Sequence, residues 1–93
     1  MLYLFHRSAC GPCQVVDEFI EKTGDTRVDR IVKVNLEAGV ATDEELQTGD
    51  KYGITATPVL TVTNHDDVVI EEHTGALDIT RNLRRILELQ LGA

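Results

Sequence analysis

A chain of 93 residues, 42% of them apolar, can bury one hydrophobic core but not two, so residues 1–93 are expected to form a single domain. Sixteen Asp and Glu against nine Lys and Arg give a formal charge of −7, which excludes nucleic acid as a partner because phosphate binding needs clustered cations. No apolar run approaches the ~20 residues of a membrane span, and the opening Met1 to Arg7 is too short and wrongly ordered for a secretion signal, so no membrane partner and a cytoplasmic location are expected.

Leu2 to Phe5 is a short, aromatic-rich apolar run and reads as a buried strand. Cys10-Gly11-Pro12-Cys13 follows, with Gly-Pro as a turn signal. Val15, Val16, Phe19 and Ile20 then recur at helical spacing, opposite Asp17, Glu18, Glu21 and Lys22, and Gly24 closes that helix. Ile31 to Leu36 is β-branched and alternating, a second strand. Thr42-Asp43-Glu44-Glu45 has the form of a capping box and predicts a helix from about Asp43 to Asp50. Pro58 opens a third strand, Val59 to Thr63. Asn64 to Asp67 make a turn, and Val68 to His73 form a fourth strand paired antiparallel with the third. Asp78 is placed as N-cap of a last helix that carries Ile79, Leu83, Ile86, Leu87 and Leu91. The expected fold is therefore α/β, in the order β-α-β-α-β-β-α. A parallel first pair and an antiparallel second pair build a four-stranded mixed sheet flanked by helices. With two Phe, two Tyr and no Trp, its core must be aliphatic.

The two cysteines stand three apart at a strand-to-helix junction, and three readings are open. As a staple, so short a loop gives about 2 kcal/mol against about 4.7 for a hundred-residue loop, and a cytoplasmic chain would keep it reduced. Structural zinc takes about four ligands. His6, His65 and His73 could add to the pair, although their plainer reading is three partly exposed side chains and no bound metal is expected. An iron–sulfur cluster shared between chains has no further ligand here. The redox reading explains the placement, because a thiol at a helix N-terminus faces unpaired N–H groups and the positive end of the dipole. Cys10 should then be a nucleophile with a pKa well below the ~8.5 of a free thiol, and Cys13 its resolving partner. Pro12 suits N1, having no N–H to leave unpaired.

Cys10-Gly11-Pro12-Cys13 resembles the active-site tetrapeptide of the thioredoxin/glutaredoxin family. Tyr52-Gly53-Ile54-Thr55-Ala56-Thr57-Pro58 is similar to that family's approach to its cis-proline, Gly75-Ala76-Leu77 to the turn into its last helix, and Val32-Lys33-Val34-Asn35 to its second conserved strand. The resemblance implies a thioredoxin-like fold. It also implies a cis Thr57–Pro58 bond beside the disulfide, where an ordinary X-Pro bond is cis in only ~5% of cases, and a Thr57 backbone that pairs with an extended substrate. It further implies a monomer with no bound cofactor beyond the redox-active disulfide Cys10–Cys13. The partners implied are disulfide-containing proteins and a donor, either a thioredoxin-reductase-like flavoprotein or glutathione.

The departures from the family are specific. Its buried acid aligns with Leu4 and its two tryptophans with His6 and Ala9, so the usual proton acceptor for Cys13 and much of the apolar docking surface are missing. Lys33 could lie under the site and tune a thiolate, or be a solvated strand lysine. Arg7 sits where glutaredoxins carry a lysine that contacts glutathione, and Asp78 near their second glutathione contact. Their plainer readings are a surface charge and a helix cap.

Overall fold

Alternation along the first strand assigns the two faces of the sheet. β1 (Leu2–His6) sends Leu2 and Leu4 into one apolar cluster and Tyr3 and Phe5 into another, as the two-residue period of a strand requires. The first cluster lies under α1 (Gly11–Thr23) and α3 (Ala76–Leu91), which contribute Val16, Ile79, Leu83, Ile86 and Leu87. The second adds Val34, Val59, Leu36, Tyr52 and Ile54 on the side of α2 (Asp43–Lys51). Gly49 lets α2 come down on β2 (Val32–Asn35), because a Cβ there would stand 2.9 Å from a Leu36 methyl.

This computed structural model describes residues 1–92. The sheet has four strands in the order β2-β1-β3-β4, completed by β3 (Val59–Thr63) and β4 (Val69–Thr74). β1 runs parallel to β2, with Leu4 opposite Lys33, while β3 is antiparallel to both β1 and β4. This is the mixed α/β sheet that the element order predicts. All five residues of β3 are buried, since it lies inside the sheet with both faces covered.

Three local expectations are corrected and one element is added. Pro12 occupies N2, because α1 already begins at Gly11. Val15 and Phe19 are 53% and 38% exposed, so α1 buries a narrower stripe than its apolar spacing suggests, through Cys13, Val16 and the half-buried Ile20. Asp78 is not the N-cap of α3. Gly75 holds that position at φ 92°, a left-handed value that favours glycine and turns the chain directly out of β4. Finally, Thr26–Arg30 form a 3₁₀ turn for which no periodic signal exists, capped by the Asp25 side chain.

Asp78 instead joins a charged cluster that ties β4 to α3. His73 Nδ1 lies 3.0 Å from Asp78, and its Nε2 lies 2.5 Å from Glu71, which also pairs with Arg85. Partial burial opposes the imidazolium, but hydrogen bonds and charge from Glu71 and Asp78 outweigh it, so the His73 pKa is raised above 6.5. The Arg85 and His73 bonds bring Glu71 down to about 2. His73 therefore stabilises the fold fully below pH 6.5, and this is lost as pH rises through its folded pKa. Glu71 stabilises above pH 4.5, and this is lost as pH falls toward about 2. His73→Gln should lower stability by about 1 kcal/mol between these limits and by less at pH 8.5, read from urea midpoints. A difference that does not shrink with rising pH would show the imidazolium contributes nothing.

Candidate active site

β1 ends at His6, and three exposed residues, Arg7, Ser8 and Ala9, carry the chain to Cys10. Cys10 is the N-cap of α1, with extended backbone at φ −141° and ψ 108°, and its sulfur accepts the Cys13 N–H at 3.2 Å. The sulfur thus takes the place that a Ser or Asp oxygen fills at an ordinary helix start. Cys13 sits in the first turn and is 2% exposed, while Cys10 is half-buried, and the two are joined as a disulfide with their Cα atoms 5.2 Å apart.

A second donor reaches the same sulfur. Thr57 Oγ1 lies 3.7 Å from Cys10 Sγ, and with the disulfide closed the hydroxyl is the donor; the Thr57 carbonyl stands 4.0 Å away. Thr57–Pro58 is cis, and the Gly75 N–H donates to the Pro58 carbonyl at 2.9 Å. The start of α1, the entry to β3 and the turn from β4 into α3 therefore converge on Cys10. Negative charge on that sulfur would meet the Cys13 N–H, the Thr57 hydroxyl and the positive end of α1.

The other expected residues fall into two groups. Gly11 and Arg7 are exposed beside the cysteines, Gly11 with open space where a Cβ would project. Lys33 is drawn elsewhere, with its Nζ 2.9 Å from Asp17, one helical turn beyond Cys13. Leu4, aligned with the family's acid, is 1% exposed in the core next to Lys33 in the strand register. His65 lies in the hairpin turn and His73 is engaged by Glu71 and Asp78, and among the described residues no three His, Cys, Asp or Glu gather as a metal set. Sequence reasoning considered only the Thr57 backbone and missed its hydroxyl. It also missed Asn35 and Glu37, which bind Ser8 and Ala9. Nothing local marks those bonds, which join positions 27 and 28 residues apart.

The thioredoxin family model matches residues 1–88. The chain belongs to the thioredoxin family. Chlamydomonas reinhardtii thioredoxin f2 is 23% identical with a TM-score of 0.67, over 96% of this chain and 77% of that one. Malassezia sympodialis thioredoxin (Mala s 13) is 23% identical with a TM-score of 0.69, over 99% and 74%. Oxidized mitochondrial thioredoxin 3 of Saccharomyces cerevisiae is 23% identical with a TM-score of 0.65, over 94% and 74%. At that identity they show the thioredoxin fold, and no curated protein matches the sequence significantly. Family, fold and the Cys10–Cys13 bond together support thiol–disulfide oxidoreduction as the general chemistry.

Burial separates the two sulfurs. After reduction, a limiting amount of iodoacetamide should modify Cys10 at least about tenfold faster than Cys13, measured by peptide mass mapping. Equal labelling would remove the distinction between attacking and resolving thiols.

Proposed function

We propose that this thioredoxin-family chain is a dithiol reductant of protein disulfides. The observation that carries the proposal is the Cys10 sulfur at the N-cap of α1, within reach of the Cys13 N–H and the Thr57 hydroxyl. In the reduced chain both donors favour thiolate over thiol on Cys10. That thiolate attacks one sulfur of a substrate disulfide, the substrate S–S bond breaks, and one substrate thiolate leaves with the bonding pair. Cys13 then gives up its proton and attacks Cys10. The mixed disulfide opens, the second substrate thiolate departs, and the Cys10–Cys13 bond holds the oxidised state. Two electrons have passed to the substrate, and a donor restores the dithiol.

The Thr57 backbone, beside Cys10, is offered to an extended segment of the substrate, with Gly75 and Arg7 on the flanks. The donor is a thioredoxin-reductase-like flavoprotein, and the chain works as a cytoplasmic monomer. Glutathione is the alternative donor, favoured by Arg7 in its exposed place three residues before Cys10. Insulin-disulfide turnover with each donor system offered in parallel decides between them.

Cys10→Ser should abolish turnover, and Cys13→Ser should trap the mixed disulfide with substrate. Turnover that survives Cys10→Ser would overturn the assignment.

Leu4 cannot accept a proton from Cys13. The resolving step should therefore be slow near neutral pH and accelerate as pH rises. Leu4→Asp, in protein that keeps the wild-type circular dichroism, should speed resolution at pH 6–7 by about tenfold or more. An unchanged rate–pH profile would count against a missing acceptor.

A further inference from the structure

The segment that aims Cys10 has no apolar anchor of its own. Arg7, Ser8 and Ala9 are all exposed, so burial does not fix their path between the sheet and α1. Their hydrogen bonds lead instead to the trailing end of β2. Asn35 Nδ2 donates to Ser8 Oγ at 3.2 Å, and the Ala9 N–H donates to Glu37 Oε1 at 3.3 Å. Asn35 Oδ1 accepts the Glu37 N–H at 2.8 Å, which locks the two holding residues to each other. Glu45 anchors the arrangement from α2, with one carboxylate oxygen accepting the Asn35 N–H at 2.6 Å and the other accepting the Thr42 N–H at 3.0 Å. One carboxylate thus caps α2 and holds the end of β2, and that strand end holds the peptide just before Cys10.

We propose that Asn35 and Glu37 are positioning residues that hold the Ser8–Ala9 segment so that the Cys10 sulfur stays at the N-cap of α1. The inference rests on the proposed function and deepens it, since Cys10 is taken as the attacking thiol. The backbone at Cys10 is extended, at φ −141° and ψ 108°, and in that setting its sulfur accepts the Cys13 N–H. Rotation at Ala9 would carry the sulfur off the helix axis. Asn35 and Glu37 are half-buried and their anchoring bonds to Glu45 and to each other are partly buried, whereas the bonds they make to Ser8 and Ala9 lie at the surface. The charged groups around the segment are Arg7 on it, His6 before it, Glu37 beyond β2 and Glu45 on α2, with the Asp17–Lys33 pair a turn below. Neither Asn35 nor Ser8 carries charge, so removing either tests position and not field.

The test is the rate of Cys10 alkylation by iodoacetamide in the reduced full chain across pH 5–9, with urea midpoints measured on the same samples. Asn35→Ala should slow the reaction at pH 7 by about three- to tenfold and move its half-maximal pH upward, the range expected for lost hydrogen bonds. Ser8→Ala, at an exposed position that does not threaten folding, should slow it less. The double variant should match Asn35→Ala, because the two residues share one bond. Glu37→Gln keeps an oxygen for the Ala9 N–H and removes the charge, so it should react at least as fast as wild type, whereas Glu37→Ala should be slowed. Wild-type rates in Asn35→Ala, additive losses in the double variant, or a Glu37→Gln as slow as Glu37→Ala would each overturn the proposal. If wild-type Cys10 itself reacts no faster than a free thiol, the proposed function fails as well. If only the variants fail to differ from a fast wild type, the positioning role alone is lost.

Discussion

A sulfur acting as the N-cap of a helix is the interaction on which the rest of the arrangement depends. α1 begins with N–H groups that no earlier turn can satisfy, and Cys13 directs one of them at Cys10 Sγ. For this to be useful the helix must start where β1 stops, with its axis aimed at an accessible point above the sheet. The α/β layering achieves that. Cys13, Val16 and Ile20 seat α1 on Leu2, Leu4 and their neighbours, while Arg7 to Ala9 bridge the gap. The exposed side of α1 is left with Val15 and Phe19, which therefore contribute little to seating it.

Around that point, three connections are fastened by different means. The β4–α3 turn depends on Gly75, whose backbone adopts a left-handed φ and whose N–H meets the Pro58 carbonyl. The β1–α1 segment is fastened by side chains from the end of β2. α2 enters through Glu45, whose pKa is lowered by the Thr42 and Asn35 N–H groups that its carboxylate accepts. The excess acidity of the chain is thus partly structural. Asp25, Glu45, Asp67 and Glu71 each accept a defined hydrogen bond, and Asp25 and Glu71 are drawn down to about 2. Of the cations, Arg27, Lys33, Lys51 and Arg85 are engaged by these or other carboxylates.

Much was legible from local pattern, because local pattern is set by short-range physics. A short apolar run exposed β1 and period-two alternation β2, the hairpin length forced β3 and β4 to be antiparallel, and Thr42 to Glu45 announced a capping box that is present in both directions. The cysteine spacing placed one sulfur before a helix and the other in its first turn, which the structure repeats. Glycine and proline signals were less complete. Gly24 closes α1 as expected, whereas Asp78 outranked Gly75 as a cap because side-chain propensity says nothing of a turn driven by backbone freedom.

What the chain determined by itself was therefore the order and kind of its main elements and the placement of its cysteine pair at a helix start, since each depends on residues within a few positions of one another. Only the folded molecule decided which distant groups meet. Lys33 was drawn to Asp17, Asp78 to His73, the Thr57 hydroxyl to Cys10, and Asn35 with Glu37 to the segment before it. Those contacts depend on how α1, α2 and the strand ends stack, and side-chain hydrogen bonds across tens of residues leave no periodic trace in a sequence.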